Sequence, residues 1–509
     1  MSHPPLQGAR LVWVTLALSL AVFMEVLDTT IANVVVPVIA GDLGAAMTQG
    51  TWVITSFAVA NAISVPLTGF MARRFGEVKI FIFSVMGFVL MSWLCGVAQN
   101  LEMLVLFRIL QGVLAGPLIP LSQSLLMASY PPEKRTLALA LWAMTVVVAP
   151  VLGPILGGWI SDNWHWGWIF FINVPIGILA AFVTWRELRE RETEIVRTPI
   201  DYVGLFLMIV GIGSLQMMLD RGKELDWFAS TEIIVLAVVA VVCLTYFIIW
   251  ELGEEHPVVE LSLFKDRNFT VGVIAVSLGF MLYMGTLTLL PLVLQTHLGY
   301  TATWAGLAAA PVGILPVILS PIIGGFGNRL DMRWLVTASF LVFAFTFHWR
   351  TSFYAGMDFS NVVWPQFWQG LGVAMFFMPL TTIILSRMKG PQIAAASSLS
   401  NFLRVFMGGV GVSVVTTLWE KREALHHTRL AEQVTPYSEI GRQTMAGMAK
   451  AGMSQEQSLA NIVRSITQQG FIMGSNEIFW GGGILFVLMI AVIWFAKPPF
   501  GSGMGGGGH

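Results

Sequence analysis

Long apolar runs alternate with short polar breaks along almost the whole chain. Fourteen runs read as helices: 11–37, 50–72, 79–98, 103–128, 137–160, 167–186, 201–220, 231–250, 269–295, 302–326, 334–350, 363–386, 396–419 and 475–496. A helix of about 20 residues crosses the ~30 Å of bilayer hydrocarbon. Only helices and closed barrels satisfy their backbones in lipid. Barrel strands are shorter and alternate in polarity, so the pattern predicts an all-α integral membrane protein.

The two ends of the chain echo each other. Pro66-Leu-Thr-Gly69 closes the second run and Pro321-Ile-Ile-Gly324 closes the tenth. Arg108-Ile-Leu-Gln111-Gly112 in the fourth run is matched by Gln366-Phe-Trp-Gln369-Gly370 in the twelfth, at nearly the same separation. Internal repeats of this kind mark transporter folds. The expected organisation is a six-helix bundle over 1–187, then linkers with two inserted helices over 188–268. A second six-helix bundle follows over 269–497, and a flexible glycine-rich tail over 498–509. Within the second bundle, polar residues 420–474 read as one long loop on the outer side. Such a loop is either a connector or a docking surface.

Composition changes the picture in one respect. With 56% hydrophobic and 11% charged residues over 509 positions, the chain is not water-soluble. The net charge of −1 says nothing about nucleic acid; no nucleic-acid partner is expected, and the lipid bilayer is the surrounding phase. Lys and Arg collect in alternate breaks, as in Arg73, Arg74 and Lys79, or Arg186, Arg189, Arg191 and Arg197. The opposite short breaks hold only Arg221, Lys223 and Arg350. By the positive-inside rule both termini are cytoplasmic. Cys95 and Cys243 lie in separate runs and read as packing residues, with neither a disulfide nor a metal site implied. The first run lacks a small-residue cleavage site and is expected to be retained.

Candidate chemistry starts with two acids inside the first run. Glu25 and Asp28 stand three residues apart, on one helix face. A charge at bilayer depth costs about 2.5 kcal/mol or more and marks ion or substrate pathways. A poorly solvated carboxyl favours its neutral form, so Asp28 leads as a proton carrier and Glu25 shares or modulates that proton. Arg108 cannot deprotonate and is expected to favour the ionised acid; the alternative is a salt bridge of packing only. Arg404 has no clear acid partner in the sequence. Pro150, Gly153, Pro154 and Gly157 give the fifth run a small-residue, bendable face. Gly69, Arg73, Arg74, Gly76 and Lys79 either latch neighbouring helix ends or serve orientation alone. Phe280, Met281, Tyr283, Met284, Phe376, Phe377 and Met378 suit adaptable apolar binding, or ordinary core and lipid packing. Asn33 and Gln111 are candidate polar contacts for the same substrate. No P-loop occurs, so ATP is not the expected energy source. Scattered histidines give no metal cluster for a membrane-embedded enzyme.

Several strings carry a specific resemblance. Leu27-Asp-Thr-Thr-Ile-Ala-Asn-Val-Val-Val-Pro37 resembles the first-span signature of fourteen-span drug:proton antiporters of the major facilitator superfamily. Arg108-x-x-Gln111-Gly112 is similar to the fourth-span motif, and Ala149-Pro-Val-Leu-Gly153-Pro154-Ile-Leu-Gly157-Gly158 to the fifth-span antiporter motif. Gly69 to Lys79 is similar to the inner-loop motif, departing from it at Arg73, where an Asp is frequent. Trp166-Gly-Trp-Ile-Phe-Phe-Ile-Asn173-Val-Pro175-Ile-Gly177 matches the sixth span. The resemblance implies a major facilitator fold of two pseudo-symmetric six-helix bundles plus two inserted central helices. It implies proton-driven export of amphiphilic small molecules across a bacterial inner membrane, with no cofactor beyond the proton. A periplasmic membrane-fusion adaptor and an outer-membrane channel are the implied partners. A proton-coupled uptake carrier is the competing reading, in which the fifth-span motif is packing alone.

Overall fold

The computed structural model describes residues 4–500 apart from 46, 197–198, 327–329, 390–391 and 436. Arg197, Arg329 and the glycine-rich stretch 501–509 lie outside the described residues, as does the side chain of Pro154. Among the described residues there is no strand.

Among the described residues thirteen helices are long and apolar enough to cross a membrane. They are α1 (Gly8–Asp42), α2 (Trp52–Phe75), α3 (Glu77–Gly96), α4 (Leu101–Ser129), α5 (Pro132–Asn163), α6 (Trp168–Leu188), α7 (Tyr202–Arg221) and α8 (Thr231–Gly253). After them come α9 (Arg267–His297), α10 (Thr303–Phe326), α12 (Phe359–Leu385), α13 (Gln392–Gln433) and α14 (Gln455–Ile493). The remaining predicted span is also a helix, α11 (Met332–Arg350). It is less apolar because it carries Arg333, Thr337, Ser339, Thr346, His348 and Arg350. Polar breaks supply the caps. Asn100 accepts from Met103 N at the start of α4, Asp266 from Phe269 N at α9, and Ser454 forms a capping box at α14.

The sequence echo extends to packing. A Cβ on Gly112 of α4 would stand 2.5 Å from Phe57 O of α2, and one on Gly370 of α12 would stand 2.6 Å from Val312 O of α10. A second matched pair closes the seam between the two sets of six helices. A Cβ on Gly69 would lie 2.9 Å from Ala395 Cα, and one on Gly324 2.5 Å from Ala140 Cβ. Only glycine lets backbones meet so closely. Both contacts lie at the end of the bundle where the chain begins, and Ser398 Oγ adds a hydrogen bond to Val65 O of 2.6 Å there.

Residues 420–474 differ from expectation. They are mostly helical rather than an irregular loop, because α13 runs for 42 residues and α14 for 39. At 1.5 Å per residue each is about 60 Å long, twice the hydrocarbon thickness. The extensions pack as a hairpin: Trp419 Nε1 donates to Phe471 O at 2.8 Å, and Glu477 pairs with Arg422 and His426. A short helix, Glu439–Lys450, forms the tip.

Candidate functional site

α1 brings both predicted acids into the interior. Asp28 is fully buried and Arg108 of α4 is 1% exposed. Arg108 Nη1 donates to Asp28 Oδ2 at 2.6 Å, while Asn173 Nδ2 of α6 and Gln111 Nε2 donate to Oδ1 at 2.8 and 3.3 Å. The other groups are also engaged. Arg108 donates through Nε to Val53 O at 3.1 Å and through Nη1 to Gln111 Oε1 at 2.8 Å. Its guanidinium lies over Phe57, 4.1 Å from the ring centre. Ser92 continues the chain, accepting from Asn173 and donating to Phe170 O. Asp28 is thus an acceptor from three donors, one of them a cation, with no water-facing surface.

Glu25 has a different setting. Its Oε1 accepts from Asn61 Nδ2 of α2 at 3.2 Å, and its Oε2 has no hydrogen-bond partner among the described residues. Glu25 is thus a buried carboxyl with one oxygen idle, where Asp28 has both oxygens engaged.

The fifth-span small residues form the wall beside this network. A Cβ on Gly153 would collide with Thr30, and one on Gly157 would meet Ile31 at 3.0 Å. α5 therefore lies on α1 within a turn of Asp28. Pro150 sits inside the continuous helix Arg135–Asn163. Asn33 does not join the network: it is exposed. Five residues beyond Asp28, at 100° per residue, it points about 140° away round the helix.

The inner-loop residues are held by the linkers. Arg73 pairs with Glu260, and Val196 N donates to Arg73 O at 2.9 Å. Gly76 adopts φ +96°, and the Glu192 carboxylate fills the space its side chain would need. That carboxylate accepts from Val78 N and Lys79 N at 3.0 Å each, capping α3. Lys79 takes part through its backbone, with its side chain exposed, and the Arg74 guanidinium lies over Phe75.

The aromatic candidates separate into two groups. Phe280 and Phe377 flank Arg404 of α13, at 5.0 and 5.5 Å from guanidinium to ring centre. Phe376 meets Phe340 at a tilt and Phe343 edge-on inside the second set of helices, and Met378 is also buried. Tyr283 is buried between Phe280 and Phe343. Met284 packs toward Gly408, and Met281 toward Gly411.

Asn61, Asn173, Gln123, Trp142 and Arg350 were not singled out as site residues by the sequence. Asn173 stood within the matched sixth-span string, whereas Gln123 carried no local signal. Arg350 read as a charge in an outer break, yet it is 1% exposed, because α12 folds Gln366 and Gln369 over it.

Comparison with known proteins decides the family. The Major Facilitator Superfamily profile matches residues 18–412. The chain belongs to the major facilitator superfamily. It is 75% identical over the full length of both chains to the fatty acid resistance protein FarB of Neisseria gonorrhoeae. It is 59% identical to the multidrug export protein EmrB of Escherichia coli K12, over 99% of each chain. A crystal structure of a double-tryptophan XylE mutant superposes with a TM-score of 0.62 at 14% identity, covering 96% of each chain, which establishes the shared fold. The chain is accordingly a multi-pass membrane transporter rather than an enzyme.

Proposed function

We propose that this chain is a drug:proton antiporter that exports amphiphilic toxic compounds across a bacterial inner membrane, with both termini cytoplasmic. The observation that carries this reading is the buried Asp28 carboxylate held by Arg108, Asn173 and Gln111. A proton arriving from the outer side neutralises Asp28 and removes the charge that Arg108 answers. The freed guanidinium and amides rearrange, and the tight α1–α5 wall at Gly153 and Gly157 shifts with α1. Glu25, with its idle oxygen, relays or stores the proton one turn away. Release inward restores the ion pair. A membrane potential contributes about 2.3 kcal/mol per charge per 100 mV, so a single proton per cycle sustains appreciable concentration of substrate. The names of the relatives, a multidrug export protein and a fatty acid resistance protein, support export of amphiphiles.

The helical hairpin formed by α13 and α14 suits a docking role for a periplasmic membrane-fusion adaptor, which in turn meets an outer-membrane channel. Deletion of 430–465 is expected to abolish adaptor pull-down while transport by the isolated protein continues; unchanged pull-down rejects the docking role. Antiport itself is tested in proteoliposomes. An imposed pH gradient should drive uphill movement of a fluorescent amphiphile, and a protonophore should stop it. Indifference of transport to the gradient refutes proton coupling, and movement with the proton rather than against it favours the uptake carrier.

A further inference from the structure

Arg404 lies in α13, 4% exposed, facing the interior between the two sets of helices. Its Nη2 donates to Asn401 Oδ1 at 2.8 Å, while Nε and Nη1 have no hydrogen-bond partner among the described residues. No carboxylate forms an ion pair with it among those residues; Glu25 lies within electrostatic reach only. Three rings surround the guanidinium, Phe280, Phe377 and, at 6.0 Å, Trp142. Rings attract a cation, but they accept no strong hydrogen bond. A buried charge without its counter-ion is costly, and its retention here needs a reason.

Arg404 also lines a narrow cavity together with Gln123, Trp142, Phe377 and Asn401. The cavity holds ≈ 10 Å³, room for about one water. Its walls come from both sets of helices: Gln123 and Trp142 from α4 and α5, Phe377 and Arg404 from α12 and α13. Asn401 Nδ2 reaches across to Gln123 Oε1 at 2.8 Å, and Ser397 donates to the same oxygen. Parting the two sets of helices therefore breaks these contacts and opens the space around the guanidinium.

We infer that Arg404 is the head-group anchor of a substrate site for anionic amphiphiles, its unpartnered Nη1 donating to a carboxylate while Phe280, Phe377 and Trp142 hold the adjoining alkyl chain. Nε–H and the Nη1 hydrogens lie on different edges of the guanidinium, so a carboxylate first meets Nη1 and gains the bidentate Nη1/Nη2 edge when Nη2 leaves Asn401. An apolar wall around a few polar groups is the usual make-up of a small-molecule site. The inference names a substrate class for the exporter proposed above, and it concerns binding alone.

The test is equilibrium binding to the full chain in nanodiscs at neutral pH, with empty nanodiscs as control. Radiolabelled dodecanoate, dodecanol and dodecyltrimethylammonium serve as probes of one chain length. The wild-type protein should bind dodecanoate at least about tenfold more tightly than dodecanol, a difference of about 1.4 kcal/mol. Arg404→Gln should erase that preference while keeping affinity for the cation, which also reports that the variant is folded. Arg404→Lys should restore part of it. Equal wild-type affinity for dodecanoate and dodecanol, a result that needs no variant, overturns the inference. So does an Arg404→Gln protein that keeps the preference. Transport that ignores a pH gradient would instead refute antiport and leave this binding preference untouched.

Discussion

The helices α1–α6 and α9–α14 echo each other in sequence and packing, yet they hold opposite charge arrangements. In the first set Arg108 and Gln111 converge on a carboxylate, Asp28. In the second set the matching positions are Gln366 and Gln369, and both accept from a guanidinium, Arg350. Arg404 adds a second buried cation there. Between Phe269 and Trp419 the only acids are Asp331 and Asp358, each at the start of a helix and away from the interior. One set thus encloses an ion pair, and the other encloses positive charge without a carboxylate. In the proposed scheme a proton unbalances the first and an anionic substrate balances the second, so the duplicated scaffold would separate the driving ion from the cargo.

The sharpest way to break the comparison is to remove the matched arginines. Arg108→Met leaves Asp28 buried without its cation, and removing one partner of a buried pair costs about 3–5 kcal/mol. Arg350→Met removes a cation that faces neutral amides and the rings of Phe347 and Phe479 but no carboxylate, so its cost should stay within about 1 kcal/mol, because the lost hydrogen bonds are offset by relief of desolvation. Unfolding of both variants in mixed micelles measures the difference. Equal losses would show that the two interiors are not electrostatically distinct.

A smaller effect probes the shared seam. Gly69→Val and Gly324→Val each force a side chain into the facing backbone or Cβ. Each should slow substrate exchange at least about tenfold, a barrier rise of about 1.4 kcal/mol. Gly158→Ala, with nothing within 4 Å of the added carbon, should leave exchange unchanged. A fast Gly69→Val transporter paired with a slow Gly324→Val one would show that the two contacts do unequal jobs. The smallest effect belongs to the linker: Glu260→Gln removes the partly exposed partner of Arg73 and should change stability by about 1 kcal/mol or less.

Much of this was legible in the chain. Apolar length alone located every spanning helix, including α11 with its polar load. The Pro-x-x-Gly and Gln-Gly repeats marked the duplication, and the structure adds that their glycines, Gly69, Gly324, Gly112 and Gly370, are points of close helix approach. Asp28, Arg108 and Gln111 stood out as polar groups at membrane depth. The rest depended on long-range folding. The hairpin extensions escaped detection because a helix that leaves the bilayer loses the apolar run by which it was found. Arg350 looked exposed because it ends such a run, while its burial comes from α12 and α14. The surroundings of Arg404 are assembled from four helices far apart in sequence, and no local pattern reports them.

The central claim is that the proton acts through Asp28, and Asp28→Asn tests it most directly. The variant keeps the shape of the side chain, exchanges one acceptor oxygen for an NH2 donor, and takes up no proton. In proteoliposomes it should still exchange substrate down a substrate gradient, at a rate within a few-fold of wild type, while an imposed pH gradient drives no net accumulation. Wild-type accumulation by Asp28→Asn under the same gradient would contradict the account and place the proton on another group.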